Sequence, residues 1–139
     1  MTPQLSVIIP TYKRTYSLEK VLDCLIKQEN IKLEIIVVDQ NEENIFSESL
    51  RLKLLEVIHI IQPKPNASLA RNTGFKKSTA PYILFLDDDL IPETDFCRKG
   101  FDLFKAYPLI QSFVPLVYTD EVKELASFYL KKKLIEYYP

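Results

Sequence analysis

Residues 82–93 read YILFLDDDLIPE: five apolar or aromatic residues, three consecutive aspartates, then Leu, Ile, Pro and Glu. A short apolar run cut off by charge reads as a buried strand that ends at the surface. Neighbouring carboxylates repel by ~1 kcal/mol per pair in water and by roughly 4 kcal/mol at a protein's edge. A strand ending on three of them needs either full solvation or a cation.

Three other runs share this character. LSVIIP (5–10), LEIIVVDQ (33–40) and VIHIIQ (57–62) are short, apolar and rich in β-branched residues, as strands buried on both faces are. Helical patterns lie between them. Leu18, Val21, Leu22, Leu25 and Ile26 fall at the i, i+3, i+4, i+7, i+8 spacing of one face, with Thr15 or Ser17 as candidate caps. Residues 41–55 read as a loop and a short helix. Asn66 caps a helix through ASLARNTGFKKS, where Gly74 costs ~1 kcal/mol relative to alanine and signals close backbone packing. Pro92 and Thr94 open a helix carrying Phe96, Phe101, Leu103 and Phe104, stopped by Pro108.

Towards the end, IQSFVPLVY (110–118) predicts a fifth strand, with Pro115 favouring an edge or bulge. A last helix is predicted from Thr119, with Asp120, Glu121 and Glu124 early and Lys131, Lys132 and Lys133 late, in keeping with the helix dipole. Val122, Leu125, Ala126 and Tyr129 would form its apolar face. Alternating strands and helices predict an α/β fold, a mostly parallel sheet flanked by helices. Ligands of such sheets bind beyond the carboxyl ends of the strands, where Asp39 and the three aspartates fall.

The whole chain narrows the classes. Its 139 residues suit a single domain, 1–139. A net charge of −1, from 18 Lys+Arg against 19 Asp+Glu, gives no general reason to bind nucleic acid. Cys24 and Cys97 stand in no metal or redox spacing, which fits free thiols and a cytoplasmic setting. No run approaches the ~20 apolar residues of a membrane span, and the N-terminus lacks a signal-peptide pattern. With 2 glycines, the G-x-G-x-x-G of dinucleotide-binding domains is excluded, as is a glycine-rich nucleotidyltransferase loop. His59, the lone histidine, sits in a strand run and reads as structural, and no catalytic triad can be built around it.

Asp87, Asp88 and Asp89 suit Mg²⁺ or Mn²⁺, which prefer oxygen ligands and are held by one or two carboxylates plus substrate phosphates. On a continued strand, Asp87 and Asp89 would share one side. A solvated acidic turn accounts for the aspartates equally well. Asp39 alone is as often a turn residue as a ligand. Arg71 reads either as a surface ion pair worth under ~1 kcal/mol or as a guanidinium aimed at an anionic ligand.

Taken in order, SVIIPTYKR (6–14), EIIVVDQ (34–40), NASLARNTG (66–74) and LFLDDD (84–89) resemble the markers of family 2 glycosyltransferases with the GT-A fold. The resemblance covers roughly residues 5–95. It implies a nucleotide-sugar donor, most often a UDP-sugar, and a Mn²⁺ or Mg²⁺ ion. Asp39 would accept a hydrogen bond from the base, Pro10, Thr11 and Tyr12 would line its pocket, and Arg71 would approach the base or pyrophosphate. Asp89 would be the metal ligand of a DXD motif, with Asp87 as a second metal ligand. Asp87 or Asp88 would contact the ribose. Where the family often has a second acid after Asp39, this chain has Gln40, which can still hydrogen-bond a base.

The resemblance further implies inverting transfer of a hexose to a hydroxyl of a glycan or lipid-linked acceptor. It places the general base beyond Pro139, so that the chain is the donor-binding half of a longer enzyme, truncated at its C-terminus. A homodimer and a peripheral contact of the final helix with a membrane stay open. A nucleotide- and metal-binding module without activity is the main alternative. A signalling receiver domain is a weaker one, because receivers spread their acids over the first and third strands.

Overall fold

The computed structural model describes residues 2–42 and 46–115, and the backbone of 129–132. A six-stranded sheet of order β3-β2-β1-β4-β6-β5 organises the chain. Its centre is β1 (Leu5–Thr11), buried at every position. It pairs in parallel with β2 (Leu33–Asp39) from Leu5↔Leu33 to Thr11↔Asp39, and with β4 (Tyr82–Phe85) from Leu5↔Tyr82 to Ile8↔Phe85. β3 (Ile58–Ile61) extends the parallel set beyond β2. Both faces of β1 are covered, which is why its sequence is nearly continuous hydrocarbon rather than alternating.

The pleat divides that hydrocarbon between two cores. Leu5, Val7, Ile9, Val37 and Leu84 face α1 (Thr15–Ile26), α2 (Glu48–Leu54) and α4 (Phe96–Ala106). Ile8, Ile36, Val38 and Ile83 face α3 (Ala67–Lys77) around Ala70. From α1, Leu18, Val21, Leu22 and Leu25 are buried, a gross hydrophobic gain of roughly 6–12 kcal/mol before ordering entropy. Ile26, expected on that face, is 49% exposed at the helix end. Neither Thr15 nor Ser17 caps α1. Arg14 holds the N-cap position without a side-chain bond, and the Ser17 hydroxyl donates instead to the Arg14 carbonyl at 3.2 Å.

On the opposite face α3 is capped as expected, with Asn66 Oδ1 accepting from the Leu69 amide at 2.9 Å. Gly74 permits its close seat: a Cβ there would fall inside the contact radius of Ile8 Cγ2. Short helix α2 is tied to α1 by Lys53, whose Nζ lies 3.0 Å from both Glu19 Oε1 and Asp23 Oδ1.

One sequence expectation is overturned at the far edge. Residues 129–132, assigned above to a helix, form β6 (Tyr129–Lys132), antiparallel to β4 with Phe85↔Tyr129. An open edge of β4 would leave a row of unpaired backbone groups, and satisfying it overrides the charge pattern that favoured a helix. The fifth strand shrinks to β5 (Ser112–Phe113), paired with β6. Residues 116–118 of that expected strand, and 119–128 of the expected helix, lie outside the described residues. No helix among the described residues is long and apolar enough to cross a membrane.

Candidate active site

β1 and β4 part company at their carboxyl ends, and that parting makes the site. The last bond between them runs from the Leu86 amide to the Ile8 carbonyl at 3.0 Å. Pro10, two residues on, turns to the same side, where its missing N–H goes unneeded because β4 has already left. This gap is the switch point of the strand order, where α/β sheets bind ligands.

The three aspartates cross the gap as a turn rather than a strand continuation. β4 stops at Phe85, Asp88 and Asp89 occupy the turn, and the Leu90 amide donates back to the Asp87 carbonyl at 3.3 Å. Each carboxylate therefore finds its own partner. Asp87 pairs with Arg71 Nη2 at 2.7 Å. Asp88 turns inward, 6% exposed, where Thr11 Oγ1 donates to it at 2.8 Å and Arg14 Nη1 lies 3.6 Å away. Asp89 is paired with Arg14. Burial pushes the Asp88 carboxyl above its ordinary range, against bonds from Thr11 and the Tyr12 amide and the charge of Arg14, and repulsion from Asp89 adds to the rise.

Asp39, at the end of β2, is held differently. Its Oδ1 accepts from the Asn41 amide at 2.9 Å and from Asn41 Nδ2 at 2.7 Å, while Oδ2 lies 3.2 Å from His59 Nε2. Burial opposes its charge, but the bonds from His59 and Asn41 prevail and hold the carboxyl below its ordinary range. A cleft of about 320 Å³ opens beside it, lined by Asp39, Asn41, His59, Arg51, Phe46 and Ile61 among others. The Phe46 and His59 rings sit 6.0 Å apart on its wall.

Gln40 is not free to meet a base. It is 4% exposed, its Oε1 accepts from the Asn66 amide at 2.6 Å, and its own amide donates to the Thr11 carbonyl at 3.0 Å. It clamps β1, β2 and the start of α3 together beneath the site. Tyr12, 38% exposed, presents its ring at the rim with Lys13 Nζ 5.1 Å from the centroid. Lys13 itself takes φ 56, a left-handed conformation uncommon for a side-chain-bearing residue, as the chain turns from β1 into α1.

Thr11, Asp88 and Arg14 thus meet across the gap, with Arg71 and Asp87 beside them and Asp39 opening on the cleft. Sequence reasoning gave no role to Arg14, Asn41 or His59. Parallel register could have found His59: it stands opposite Val37, one pleat before the Asp39↔Ile61 pair, so both side chains share a face.

Among the described residues, no three His, Cys, Asp or Glu side chains are grouped to hold a metal by themselves. The donor chemistry nonetheless fits a hard divalent ion, because Asp87 and Asp89 are half-exposed carboxylates and one or two such ligands suffice when phosphates complete the shell.

This arrangement of sheet, switch point and acidic turn is the GT-A fold of glycosyltransferases. A mannosyltransferase of Pyrobaculum calidifontis, solved with GDP-Man and Mn²⁺, superposes with a TM-score of 0.78 at 19% identity, over 96% of this chain and 45% of that one. S. aureus TarS 1–349, in complex with UDP-GlcNAc, gives a TM-score of 0.64 at 21% identity, over 84% of this chain and 34% of that one. The profile of glycosyl transferase family 2 matches residues 6–135, and the chain belongs to that family. An uncharacterized glycosyltransferase of Haemophilus influenzae is 30% identical over 107 residues, which are 76% of this chain and 36% of that protein. The chondroitin synthase of Escherichia coli is 29% identical over 93% of this chain and 20% of its own length. The chain therefore spans about a third or less of these curated relatives.

Proposed function

We propose that this chain is the donor-binding part of a glycosyltransferase that takes a hexose from a UDP-sugar and passes it, with inversion, to a hydroxyl of a glycan or lipid-linked acceptor. The observation that carries this reading is the meeting of Thr11, Arg14 and Asp88 at the switch point between β1 and β4, with Arg71 paired to Asp87 and Asp39 opposite Thr11 at the end of β2. Asp39 accepts the imide N–H of uracil, with Pro10, Thr11 and Tyr12 lining the base. Asp88 contacts the ribose hydroxyls. Arg71 exchanges Asp87 for the pyrophosphate, whose oxygens the guanidinium fork also fits bidentately. Asp89, with Asp87, would hold Mn²⁺ or Mg²⁺, which would supply Lewis-acid neutralisation of the diphosphate. The acceptor oxygen forms its bond to the anomeric carbon as the carbon–oxygen bond to UDP breaks, and the hydroxyl proton passes to a general base.

Family membership and the GT-A fold support this reading; the base, the metal and the stereochemistry are its additions. Calorimetric titration of UDP with Mn²⁺ and with EDTA tests it. Binding that requires Mn²⁺, and that Asp39→Ala weakens for UDP while sparing inorganic pyrophosphate, is the expected result. UDP binding that ignores the metal, or none at all, would overturn it.

A further inference from the structure

The hydrogen-bonding capacity of Asp39 is almost used up before any ligand arrives. An ionised carboxylate offers about four lone-pair sites. Two lie on Oδ1, and Asn41 fills both, one from its amide and one from its side chain. Of the two on Oδ2, one faces His59 Nε2 at 3.2 Å. A carboxylate held ionised can only accept, so that imidazole nitrogen carries the hydrogen. Among the described residues one acceptor site remains, on Oδ2, and Asp39 is one of the residues that line the cleft.

We infer that His59 is a positioning residue for base selection: by occupying one lone pair of Asp39 Oδ2 it restricts the site to a base edge with a single N–H donor. The inference rests on the reading of Asp39 as the base contact. Uracil offers one such donor, its N3–H, between two carbonyls. Guanine offers two neighbouring ones, N1–H and the N2 amine. Seated at this carboxylate, guanine would leave one donor without an acceptor in a desolvated cleft, and an unpaired buried donor is what gives polar sites their strongest rejection.

Asn41 alone does not achieve this. It closes Oδ1, but without His59 both lone pairs of Oδ2 would be open, and two N–H groups could converge there. The choice between one donor and two therefore lies with the residue on β3. Its placement supports the role: His59 is partly exposed on the sheet's edge strand, its ring tilted against Phe46 at 6.0 Å, and it reaches Asp39 across the β2–β3 pair. Among the described residues, the other charged groups lining the cleft are Glu42 and Arg51. Arg51 is a pure donor and can serve a base carbonyl, which both bases have. It does not discriminate as the donor count does.

The test compares UDP with GDP by calorimetry in the presence of Mn²⁺, for the whole chain and for His59→Phe, His59→Ala and His59→Gln. Phenylalanine keeps a ring against Phe46 and removes the donor; glutamine restores a donor without the ring. In both donor-free variants the ratio of GDP to UDP dissociation constants should narrow by roughly tenfold, the worth of one hydrogen bond to a charged group. It should return towards the wild-type ratio in His59→Gln, and pyrophosphate affinity should hold throughout. A ratio that stays fixed, or affinities for UDP and GDP that fall together, would overturn the inference, and so would a glutamine variant behaving like phenylalanine. Asp39→Ala separates the two levels. If it weakens UDP and pyrophosphate alike, the reading of Asp39 itself has failed. If it weakens UDP selectively while the histidine variants keep the wild-type ratio, only the role of His59 has failed.

Discussion

Asp39 and Asp88 end neighbouring parts of one sheet, are equally hidden from water, at 5% and 6% exposure, and are pushed in opposite directions. Among the described residues Asp39 takes three hydrogen bonds, two from Asn41 and one from His59, and stays readily ionised. Asp88 has the Thr11 hydroxyl, the Tyr12 amide and a guanidinium at 3.6 Å, and burial, aided by the aspartate next in sequence, prevails over them. Burial alone therefore does not decide the state of a strand-end carboxylate. The local donor count does. One of these sites is finished, and fit to read a ligand by hydrogen bonding. Around the other, the donors and the Arg14 charge do not offset burial, which is the condition a bound cation would relieve.

The sharpest way to break this contrast is at the acidic turn. Asp89→Ala should reduce Mn²⁺-dependent UDP binding by a hundredfold or more on the order expected for loss of a metal ligand's support, with little change in melting temperature because Asp89 packs nothing in the core. Undiminished metal-dependent binding, measured by calorimetry, would remove the cation from that side of the comparison. A smaller effect is expected at Arg14, which in the ligand-free chain occupies the Asp89 carboxylate and lies near Asp88. Arg14→Ala should tighten binding of Mn²⁺ alone by a few-fold, read by electron paramagnetic resonance of the free ion, since a competing internal cation is gone. Weaker binding would mean that Arg14 orders the turn rather than competing for it.

What could be read in advance divides along physical lines. The four parallel strands and α1, α3 and α4 were legible because each carries its own pattern, apolar runs closed by Pro or Asp, a 3.6-residue face, an Asn66 cap. The positions of Asp39 and of the aspartate run followed from the rule that α/β sheets bind at strand ends. Other features were not local. Tyr129–Lys132 become a strand only because β4 has an open edge, a demand made by residues more than forty positions away. Asp87 and Asp89 pair with different arginines, Arg71 and Arg14, because the chain turns at the end of β4 rather than continuing as a strand. Gln40 looked available to a ligand, yet it serves the backbone on both sides. His59 acquired its role from strand register, and Arg14 from the turn that carries it over Asp89. Apart from the local turn at the end of β4, an interaction between distant segments decided in each case, and only for His59 did parallel register offer a signal.

The smallest effects concern stability without any ligand, and they test the donor-count argument by sign. A carboxyl whose folded-state pKa is depressed stabilises the fold above its unfolded value, about 3.9 for aspartate, and loses that contribution as pH falls through the folded value. For Asp39 the depression comes from bonds that need the ionised form. Metal-free Asp39→Asn should therefore melt below the wild type at pH 7, by a few degrees, and the gap should close as the pH is lowered from about 5 towards 2. Glu42, which lines the same cleft, is present in both proteins and cancels in the difference. Asp88→Asn keeps an oxygen for the Thr11 hydroxyl and removes a buried charge beside Asp89, so at pH 7 it should melt no lower than the wild type. If Asp88→Asn falls as far as Asp39→Asn, its charge was already compensated, and the two strand ends are not the opposites that their surroundings make them.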